Sequence, residues 1–386
     1  MAAIDYVVRA EALAPLIAEH ADDAEQNRRL PRVVADAMSD AGLYRIAASV
    51  EQLGGGADAV TQIKVIEAVS RVDGSTGWNL MIGIETYSLM IASLMRNREL
   101  IEDPRVIIAG STAAVGTATP VDGGYRVSGH WKFVSGCHNA GLFSGLVHLL
   151  DDGPDAPPPN IVPSMAVLPA TEIEILDTWH VGGLRGSGSH DVVVGGVFVP
   201  ATRIVAGIGT PTPSSDHMPR NSRLAYNKVG VALGIARSAI DTFVDLAGNK
   251  IPRFTSKQLR DRGFAQRAVA EAEVRLRAGR ALVFELVTNM WTKAQAGEII
   301  HREEIAMFQI ACSAAVRGCI EAVDHVAQAA GTSANPIDSP LERPIRDVRV
   351  VGQHITVAPH HIEDGGRLLL GVPAQEMMLA GFNSPD

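Results

Sequence analysis

The chain has 386 residues, of which 46% are hydrophobic and 20% charged, and its formal net charge is −9. It is long and apolar enough for two or three structural units with a sizeable core, which excludes a disordered chain. The negative charge argues against a nucleic-acid partner. Because no stretch resembles a secretory signal or approaches the ~18 apolar residues of a membrane span, we expect a cytoplasmic protein without membrane contact.

Residues 1–105 have the pattern of a helical domain. Pro31 suits the first turn of a helix and Gly42 a helix end. Apolar residues at helical spacing predict further helices over residues 58–70 and 77–94. The second of these is apolar on nearly every side, which indicates that it is buried.

Residues 106–215 change to short β-prone runs separated by turn signals. The predicted strands cover residues 106–109, 125–127, 131–134, 146–149, 165–168 and 191–199. The glycine-rich run 182–189 leads into a strand and not into a helix. It therefore lacks the helix N-terminus that a dinucleotide fingerprint needs, and we expect no Rossmann domain.

Residues 216–386 return to long helices, predicted over residues 225–247, 259–297, 302–330 and 361–380. The last of these is apolar on more than one face, which predicts burial against another subunit. Cys312 and Cys319 share a predicted helix and lie roughly 10 Å apart, too far for a disulfide, which favours a reducing compartment.

This order of elements and four local motifs resemble the acyl-CoA dehydrogenase superfamily, in particular its flavin-dependent monooxygenase branch, the oxygenase components of two-component aromatic hydroxylases. The motifs are residues 129–136 (GHWKFVSG), 178–194 (TWHVGGLRGSGSHDVVV), 330–334 (AGTSA), and the segment from Arg346-Asp347 to His354. The resemblance implies an α+β fold of the acyl-CoA dehydrogenase type. It has an N-terminal helical domain (1–105), a central β-barrel or sandwich domain (106–215) and a C-terminal four-helix bundle (216–386).

The resemblance also implies where a flavin ring would lie. In the family the strand of residues 129–136 runs along the ring, so Trp131 and Phe133 are expected to contact the cofactor. Ser135 would place its hydroxyl near flavin N5, which changes from acceptor to donor on reduction, and a hydroxyl serves both forms. The alternative for Ser135 is a turn serine at the end of a strand.

The family binds the flavin phosphates, often those of a neighbouring subunit, with a small glycine-rich turn. Here Gly331, Thr332 and Ser333 match that turn, since glycine permits close backbone approach. Arg253 matches an arginine that meets the neighbour's cofactor, although the Gln-Phe-Gly that follows it in the family is replaced by residues 254–256 (FTS).

The fourth motif separates two activities. The common acyl-CoA dehydrogenases carry a catalytic glutamate about nine residues past the arginine of the Arg-Asp pair. That position is Ile355 here, and the next carboxylate, Glu363, comes eight residues later. In the monooxygenase branch a histidine lies beside the site, and His354 fills that place. We therefore interpret His354 and Ser135 as catalytic, with a histidine pKa near the working pH.

By the same resemblance Trp78 and Asn79, at a helix start typical of the branch, and Trp179 are expected to contact the substrate. Trp78 could equally be a core residue. No metal site is predicted, because the histidines near residue 360 do not match a standard ligand spacing.

The implied function is that of a reduced-flavin-dependent monooxygenase. FAD or FMN, reduced by a separate flavin reductase, would react with dioxygen to a C4a-hydroperoxyflavin and transfer one oxygen atom to an aromatic or heteroaromatic substrate, within a homotetramer. Two alternatives stay open: an acyl-CoA dehydrogenase with a relocated base such as Glu363, and a non-catalytic helical scaffold without flavin.

Overall fold

The computed structural model describes residues 5–150, 164–205, 218–219 and 222–374. The α-helices of these segments are α1 (Tyr6–Ala12), α2 (Ala14–Asn27), α3 (Arg32–Asp40), α4 (Ala59–Val72), α5 (Gly74–Arg96), α6 (Ser222–Asn249), α7 (Gly263–Ala296), α8 (Arg302–Ala330), α9 (Glu342–Gly352) and α10 (His360–Leu369). The strands are β1 (Ile108–Val121), β2 (Gly124–Val134), β3 (Leu142–Leu149), β4 (Ser164–Pro169), β5 (Glu174–Leu176), β6 (His190–Pro200) and β7 (Ile204–Val205).

Helices α4 and α5 confirm the two predicted N-terminal helices, and both begin at an aspartate cap. The Asp58 carboxylate accepts the Thr61 amide at 2.8 Å, and the Asp73 carboxylate accepts the Thr76 amide at 2.7 Å. Each cap satisfies a backbone donor that the first helical turn leaves unpaired. The cap at Asp73 starts α5 at Gly74, three residues before the predicted start at residue 77.

The central β segment forms one seven-stranded mixed sheet in the order β5-β6-β2-β1-β3-β4-β7. Strands β1 and β3 pair in parallel, and the other neighbours pair antiparallel. The separately predicted strands 125–127 and 131–134 belong to the single strand β2. One side of the sheet covers an apolar core that includes Trp131 and Phe143.

The C-terminal helices form a bundle in which α8 packs against α6, α7, α9 and α10. In length and composition the segment Arg302–Ala334, which includes α8, would pass for a membrane span, but 61% of its apolar 18-residue window is buried inside the structure, as in the central helix of a bundle. Helix α6 also approaches α4 closely. A side chain on Gly234 would collide with the Glu67 carbonyl, so only glycine fits there.

Two predictions for the C-terminal helices need correction. Helix α9 was not predicted, because five of its eleven residues are charged and its apolar side, which packs on α6 and α8, is short. The predicted helix 361–380 ends at Leu369, since Gly371 adopts a φ of +73° and Pro373 follows. The part of that prediction beyond residue 374 lies outside the described residues, as do Met377, Met378 and Leu379, three of the seven apolar residues predicted to contact another subunit.

Candidate active site

Trp78 joins the two predicted catalytic residues, which are far apart in sequence. Its indole N–H, on α5, donates to the Ser135 hydroxyl at 3.0 Å. Its ring meets the imidazole of His354 edge to face, with 5.5 Å between ring centroids. The sequence placed Ser135 and His354 in different domains, and the fold brings both to the same tryptophan. Trp78 is 6% exposed.

A bulge near the end of β2 determines which side chains face the surface. The pairing of β2 with β6 shifts register between Trp131 and Val134. Phe133 within it has a φ of +59°, and its side chain is 68% exposed. Such conformations are costly for a bulky residue and cluster at functional sites, as do β-bulges.

The same bulge corrects one prediction. Trp131 is fully buried, donates its indole N–H to the Leu146 carbonyl at 3.0 Å and packs on Phe143. Simple alternation along the strand would put Trp131 and Phe133 on one face, whereas the bulge sends them to opposite faces. Trp131 is therefore a core residue of the sheet, and only Phe133 is available to a cofactor.

Ser135 is the first member of a short chain of hydroxyls that the sequence did not reveal. Its hydroxyl lies 2.7 Å from that of Ser189, which lies 2.7 Å from that of Ser187. Asp347 holds the loop that carries the last two, because its carboxylate accepts the Leu184 amide at 2.6 Å. The glycine-rich segment thus supplies a fixed hydrogen-bond partner for Ser135. In the sequence, the serines that alternate with its glycines were the pattern that could have indicated this role.

Helix α9 supports this loop through ion pairs. Arg346 lies 2.9 Å from Glu25 of α2 and 2.5 Å from Glu342, and it also donates to the Gly182 carbonyl. Arg343 pairs with Asp22 of α2 at 2.5 Å. These contacts are structural, and they attach α9, which leads into His354, to both the loop and α2.

His354 follows α9 and is oriented by Thr356, a residue that the sequence analysis missed. Imidazole Nδ1 lies 3.0 Å from the Thr356 hydroxyl oxygen, and that hydroxyl donates to the Leu224 carbonyl at 3.0 Å. The Thr356 amide also donates to Nδ1 at 3.3 Å. These contacts hold the Nδ1 side of the ring, so Nε2 is the ring nitrogen that remains to meet a bound group.

Burial and, to a smaller extent, the nearby positive charge of Lys228 together lower the pKa of His354 to about 2. The imidazole is therefore neutral at physiological pH. This corrects the expectation of a pKa near the working pH. A neutral imidazole carries one N–H donor and one acceptor nitrogen, so it acts here through hydrogen bonds and not through a positive charge.

The depressed pKa predicts a pH dependence of stability. Below pH ~6.5 the unfolded chain binds a proton at His354 that the folded chain does not bind, so stability falls as pH falls. Between pH 6.5 and 5.5 the parent should lose about 1 kcal/mol more unfolding free energy than His354→Gln. Urea unfolding of both proteins at the two pH values measures this difference. Equal losses would show that His354 titrates normally.

A second group of predicted residues lies at the other end of α6. Gly331 begins a 3-10 turn (Gly331–Ala334) with a φ of +61° and a ψ of −140°, a conformation essentially restricted to glycine. Lys250, which the sequence analysis missed, donates to the Ala330 carbonyl and the Ser333 hydroxyl, both at 2.8 Å. Arg253 is exposed three residues further on. A lysine ammonium beside such a turn suits a phosphate group.

The remaining predicted residues have mainly structural contacts. Trp179 is 9% exposed; it donates to the Leu184 carbonyl at 3.1 Å and meets Phe133 edge to face at 6.1 Å. Asn79 is buried and holds the Ser75 and Gly186 carbonyls at 3.0 and 3.3 Å. Asn79 thus attaches the glycine-rich loop to α5, and contact of either residue with a substrate stays a prediction.

Two surface clefts of about 240 and 470 Å³ lie elsewhere, where the α2–α3 connection meets His138. Charged and polar side chains such as Arg28, Arg29 and Asp177 line them. Neither cleft contains Ser135 or His354, and their polar walls are unsuited to an apolar ring. The contacts around Trp78 therefore define the candidate site better than the size of these clefts does.

The residues around Trp78 fit a flavin ring. The exposed Phe133 side chain offers an apolar surface, and Ile355, next to His354, is 61% exposed. Exposed apolar side chains beside buried polar groups are typical of a cofactor site. No carboxylate occupies the position of the dehydrogenase base, because Ile355 stands there and Glu363 is exposed on α10.

Comparison with known proteins identifies the family. Residues 7–96 match the acyl-CoA dehydrogenase N-terminal domain, and residues 227–359 match its C-terminal domain. The indole-3-acetate monooxygenase of Pseudomonas putida is 30% identical over 353 residues, covering 90% of this chain and 89% of that protein. The flavin-dependent monooxygenase oxygenase subunit HsaA of Rhodococcus jostii is 29% identical, with 91% and 94% covered.

A solved structure extends the similarity to three dimensions. The 3-HSA hydroxylase of Rhodococcus sp. RHA1 superposes with a TM-score of 0.86 at 26% identity, covering 97% of this chain and 99% of that one. The match includes the N-terminal helices, the sheet and the helical bundle. The chain therefore belongs to the acyl-CoA dehydrogenase family and, within it, to the flavin-dependent monooxygenases.

Proposed function

We propose that this protein is the oxygenase component of a two-component system that oxygenates an aromatic or heteroaromatic substrate. Substrate, dioxygen and reduced flavin would give oxygenated product, oxidised flavin and water. A separate flavin reductase would supply the reduced flavin, either FAD or FMN. The observation that carries the proposal is the contact of both Ser135 and His354 with Trp78.

Each residue of the site has a definite task in this proposal. Bound reduced flavin supplies the two electrons that one oxygen atom of dioxygen takes up as it becomes water. Ser135 holds the ring edge through a hydroxyl that both donates and accepts. His354, fixed by Thr356, forms a hydrogen bond through Nε2 with the reacting groups. Trp78 fixes both residues and helps to exclude water, since solvent access favours release of hydrogen peroxide.

The aromatic character of the substrate follows from the relatives. The Pseudomonas putida relative is named for indole-3-acetate, a heteroaromatic acid. An acyl-CoA dehydrogenase activity would need a carboxylate base beside the flavin. Ile355 occupies that position and Glu363 is exposed, so the site itself favours oxygenation.

The two groups of flavin-binding residues support a multimeric enzyme, which we propose to be a homotetramer. Leu224, near the start of α6, contacts Thr356 beside His354, whereas Lys250 follows the end of α6. Lys250 is 26 positions beyond Leu224, which corresponds to roughly 40 Å of helix. One flavin nucleotide does not span that length, so the turn at Gly331 would serve the flavin of a neighbouring subunit. Cytoplasmic localisation likewise remains a proposal.

The proposal is tested by incubating the purified protein with chemically reduced FAD or FMN, dioxygen and a panel of phenols, indoles and thioethers. At least one aromatic compound should give an oxygenated product and lower the yield of hydrogen peroxide. Peroxide formation that no compound reduces would argue against a monooxygenase. Reduction of the oxidised flavoprotein by an acyl-CoA without oxygen would establish the dehydrogenase instead.

Replacing Ser135 with alanine should uncouple the reaction. The variant loses a hydrogen bond worth about 1–2 kcal/mol, which corresponds to roughly a tenfold lower ratio of product to peroxide. Ser128→Ala is the matched control, because Ser128 lies on β2, the strand that leads into Ser135, but accepts the Gly196 amide instead. Parallel assays of product and peroxide measure the effect. Equal coupling in both variants would remove Ser135 from the mechanism.

A further inference from the structure

The segment that carries His354 interrupts a run of helix. Residues 353–359 separate α9 from α10 and lie outside regular structure. Among the described residues, no backbone N–H bonds the carbonyl of Ile355 or that of Thr356. A continuous helix would pair both carbonyls by itself, so the interruption leaves two acceptors that other groups must satisfy.

Two buried side chains bind these carbonyls. His361, the second residue of α10, donates its ring Nε2–H to the Ile355 carbonyl at 2.6 Å, since a carbonyl can only accept. Gln309 of α8 donates its side-chain amide to the Thr356 carbonyl at 2.8 Å. The two donating side chains are 0% and 3% exposed. Consecutive peptide groups of the segment are therefore fixed from two different helices.

A third hydrogen bond attaches the same segment to α6. The Thr356 hydroxyl donates to the Leu224 carbonyl at 3.0 Å, and its oxygen lies 3.0 Å from Nδ1 of His354. We call the three bonds made by Gln309, His361 and Thr356 the His354 clamp. The clamp holds the segment to three helices of the bundle, and it fixes the backbone after His354 as well as the ring itself.

The clamp determines where two adjacent side chains of the candidate site lie. The imidazole of His354 meets the ring of Trp78 with 5.5 Å between ring centroids. Ile355, at the position of the dehydrogenase base, is 61% exposed. Outside regular structure the directions of these side chains depend on the peptide groups that follow them.

A displaced peptide group would therefore turn the imidazole away from Trp78. A reacting group that is misplaced by about 1 Å can lower a rate by roughly 10²-fold, even when the substituted residue is remote from the chemistry. Gln309 and His361 thus have a route to the reaction without contact with flavin or substrate. That route passes through His354.

We infer that Gln309 and His361 are positioning residues for the oxygenation, which act through His354 by fixing the two peptide groups that follow it. The inference rests on the proposed function, because it takes His354 to be the group beside the reacting atoms. The two residues hold the backbone of the segment, whereas Thr356 holds the imidazole ring directly.

Two amide variants of His361 test its contact with the Ile355 carbonyl. The side chain of His361→Gln places its amide nitrogen about where imidazole Nε2 lies, whereas that of His361→Asn is one methylene too short. The ratio of product to hydrogen peroxide, assayed with reduced flavin, should stay within about twofold of the parent in the glutamine variant and fall roughly tenfold in the asparagine variant, the scale of one lost buried hydrogen bond. Equal ratios in the two variants overturn the inference.

Gln309→Met removes the second contact and keeps the size of the side chain. Its matched control is Gln62→Met, because Gln62 of α4 is also buried and donates to a backbone carbonyl, that of Ala57, at 2.8 Å. Gln309→Met should lower the product-to-peroxide ratio roughly tenfold, mainly through kcat, with KM within about threefold of the parent. Gln62→Met should lose stability but keep the ratio. Equal ratios in both variants contradict the inference, and this pair decides if His361→Asn does not fold.

A double variant tests whether the clamp acts through His354. Added to His354→Ala, Gln309→Met should lower product formation by less than about twofold, because residues that act through one group are not additive. A further tenfold loss would mean that Gln309 acts independently of His354, and it would overturn the inference.

Hydrogen exchange of the flavin-free protein gives a readout that does not depend on activity. The Val357 amide donates to the His354 carbonyl at 3.0 Å, so a peptide covering residues 353–358 reports opening of the segment. Exchange there should become roughly tenfold faster in the two variants that remove a clamp bond, His361→Asn and Gln309→Met. It should stay at the parent's rate in the other two variants. Parent-like exchange in all four contradicts the inference.

The two readouts separate this inference from the proposed function. A parent that oxygenates an aromatic compound equally well in all four variants supports the function and contradicts the inference. A parent that forms no oxygenated product contradicts the function, and faster exchange confined to the two clamp variants then still supports the clamp as the element that fixes His354.

Discussion

Replacing His354 with alanine is expected to lower product formation by roughly 10²-fold or more, the usual scale for a positioned acid–base or hydrogen-bonding group. Reduced flavin should still bind, because the turn that carries Gly331 lies away from His354. Oxygen should therefore still be consumed. The consumed oxygen should then appear as hydrogen peroxide. Product and peroxide are measured in parallel with the parent under reduced flavin.

Glu363→Gln is the matched control for this variant, since Glu363 is the next carboxylate along the chain and is exposed on α10. It should leave product formation within about threefold of the parent, as for an ordinary surface substitution. The dehydrogenase hypothesis predicts the reverse order of effects. Intact coupling in His354→Ala would mean that the neutral imidazole has no part in oxygen transfer.

Oligomers that contain both His354→Ala and Gly331→Val chains should be active, although each variant alone is inactive, if neighbouring subunits share a flavin site. His354→Ala removes the group beside the flavin ring. Gly331→Val forces a β-branched residue into a conformation that glycine alone tolerates and should weaken reduced-flavin binding by roughly 10- to 100-fold. A site is active when one subunit supplies an intact His354 and its neighbour supplies an intact Gly331 turn. In random mixtures about a quarter of the sites meet this condition, so activity should rise to roughly a quarter of the parent's.

The mixed species is obtained by co-expression with two different tags and purification on both. Each single variant, carrying both tags in separate preparations, serves as the control for residual activity. Activity no higher than the mean of the two variants would mean that each chain completes its own site. A monomeric mass by light scattering would contradict shared sites directly.

Much of the architecture could be predicted because its physical signals are local. The long helices α6, α7 and α8 follow from apolar spacing, and the glycine-rich segment was correctly predicted to enter a strand. Helix α9 was missed because its five charged residues, of which Arg346 pairs with Glu25 of α2, obscure a short apolar side that includes Val348 and Val351.

The site was partly predictable for a different reason. Family resemblance indicated Ser135 and His354, but their common contact with Trp78 depends on packing between distant segments. Trp131 was misplaced because the resemblance indicates the strand along the flavin ring but not the bulge that places Trp131 in the core. Thr356, Lys250 and the serines of the glycine-rich loop are ordinary residue types whose roles appear only through their contacts. The pKa of His354 likewise depends on burial and on Lys228, which no local pattern encodes.

The most direct test of the account is the fate of labelled dioxygen. The parent protein is mixed with chemically reduced flavin, an aromatic substrate from the panel and ¹⁸O₂, and the product is analysed by mass spectrometry. The account predicts a product that carries one labelled oxygen atom, with the second atom in water and little labelled peroxide. Product without the label, or labelled peroxide with no oxygenated product from any aromatic compound, would contradict it.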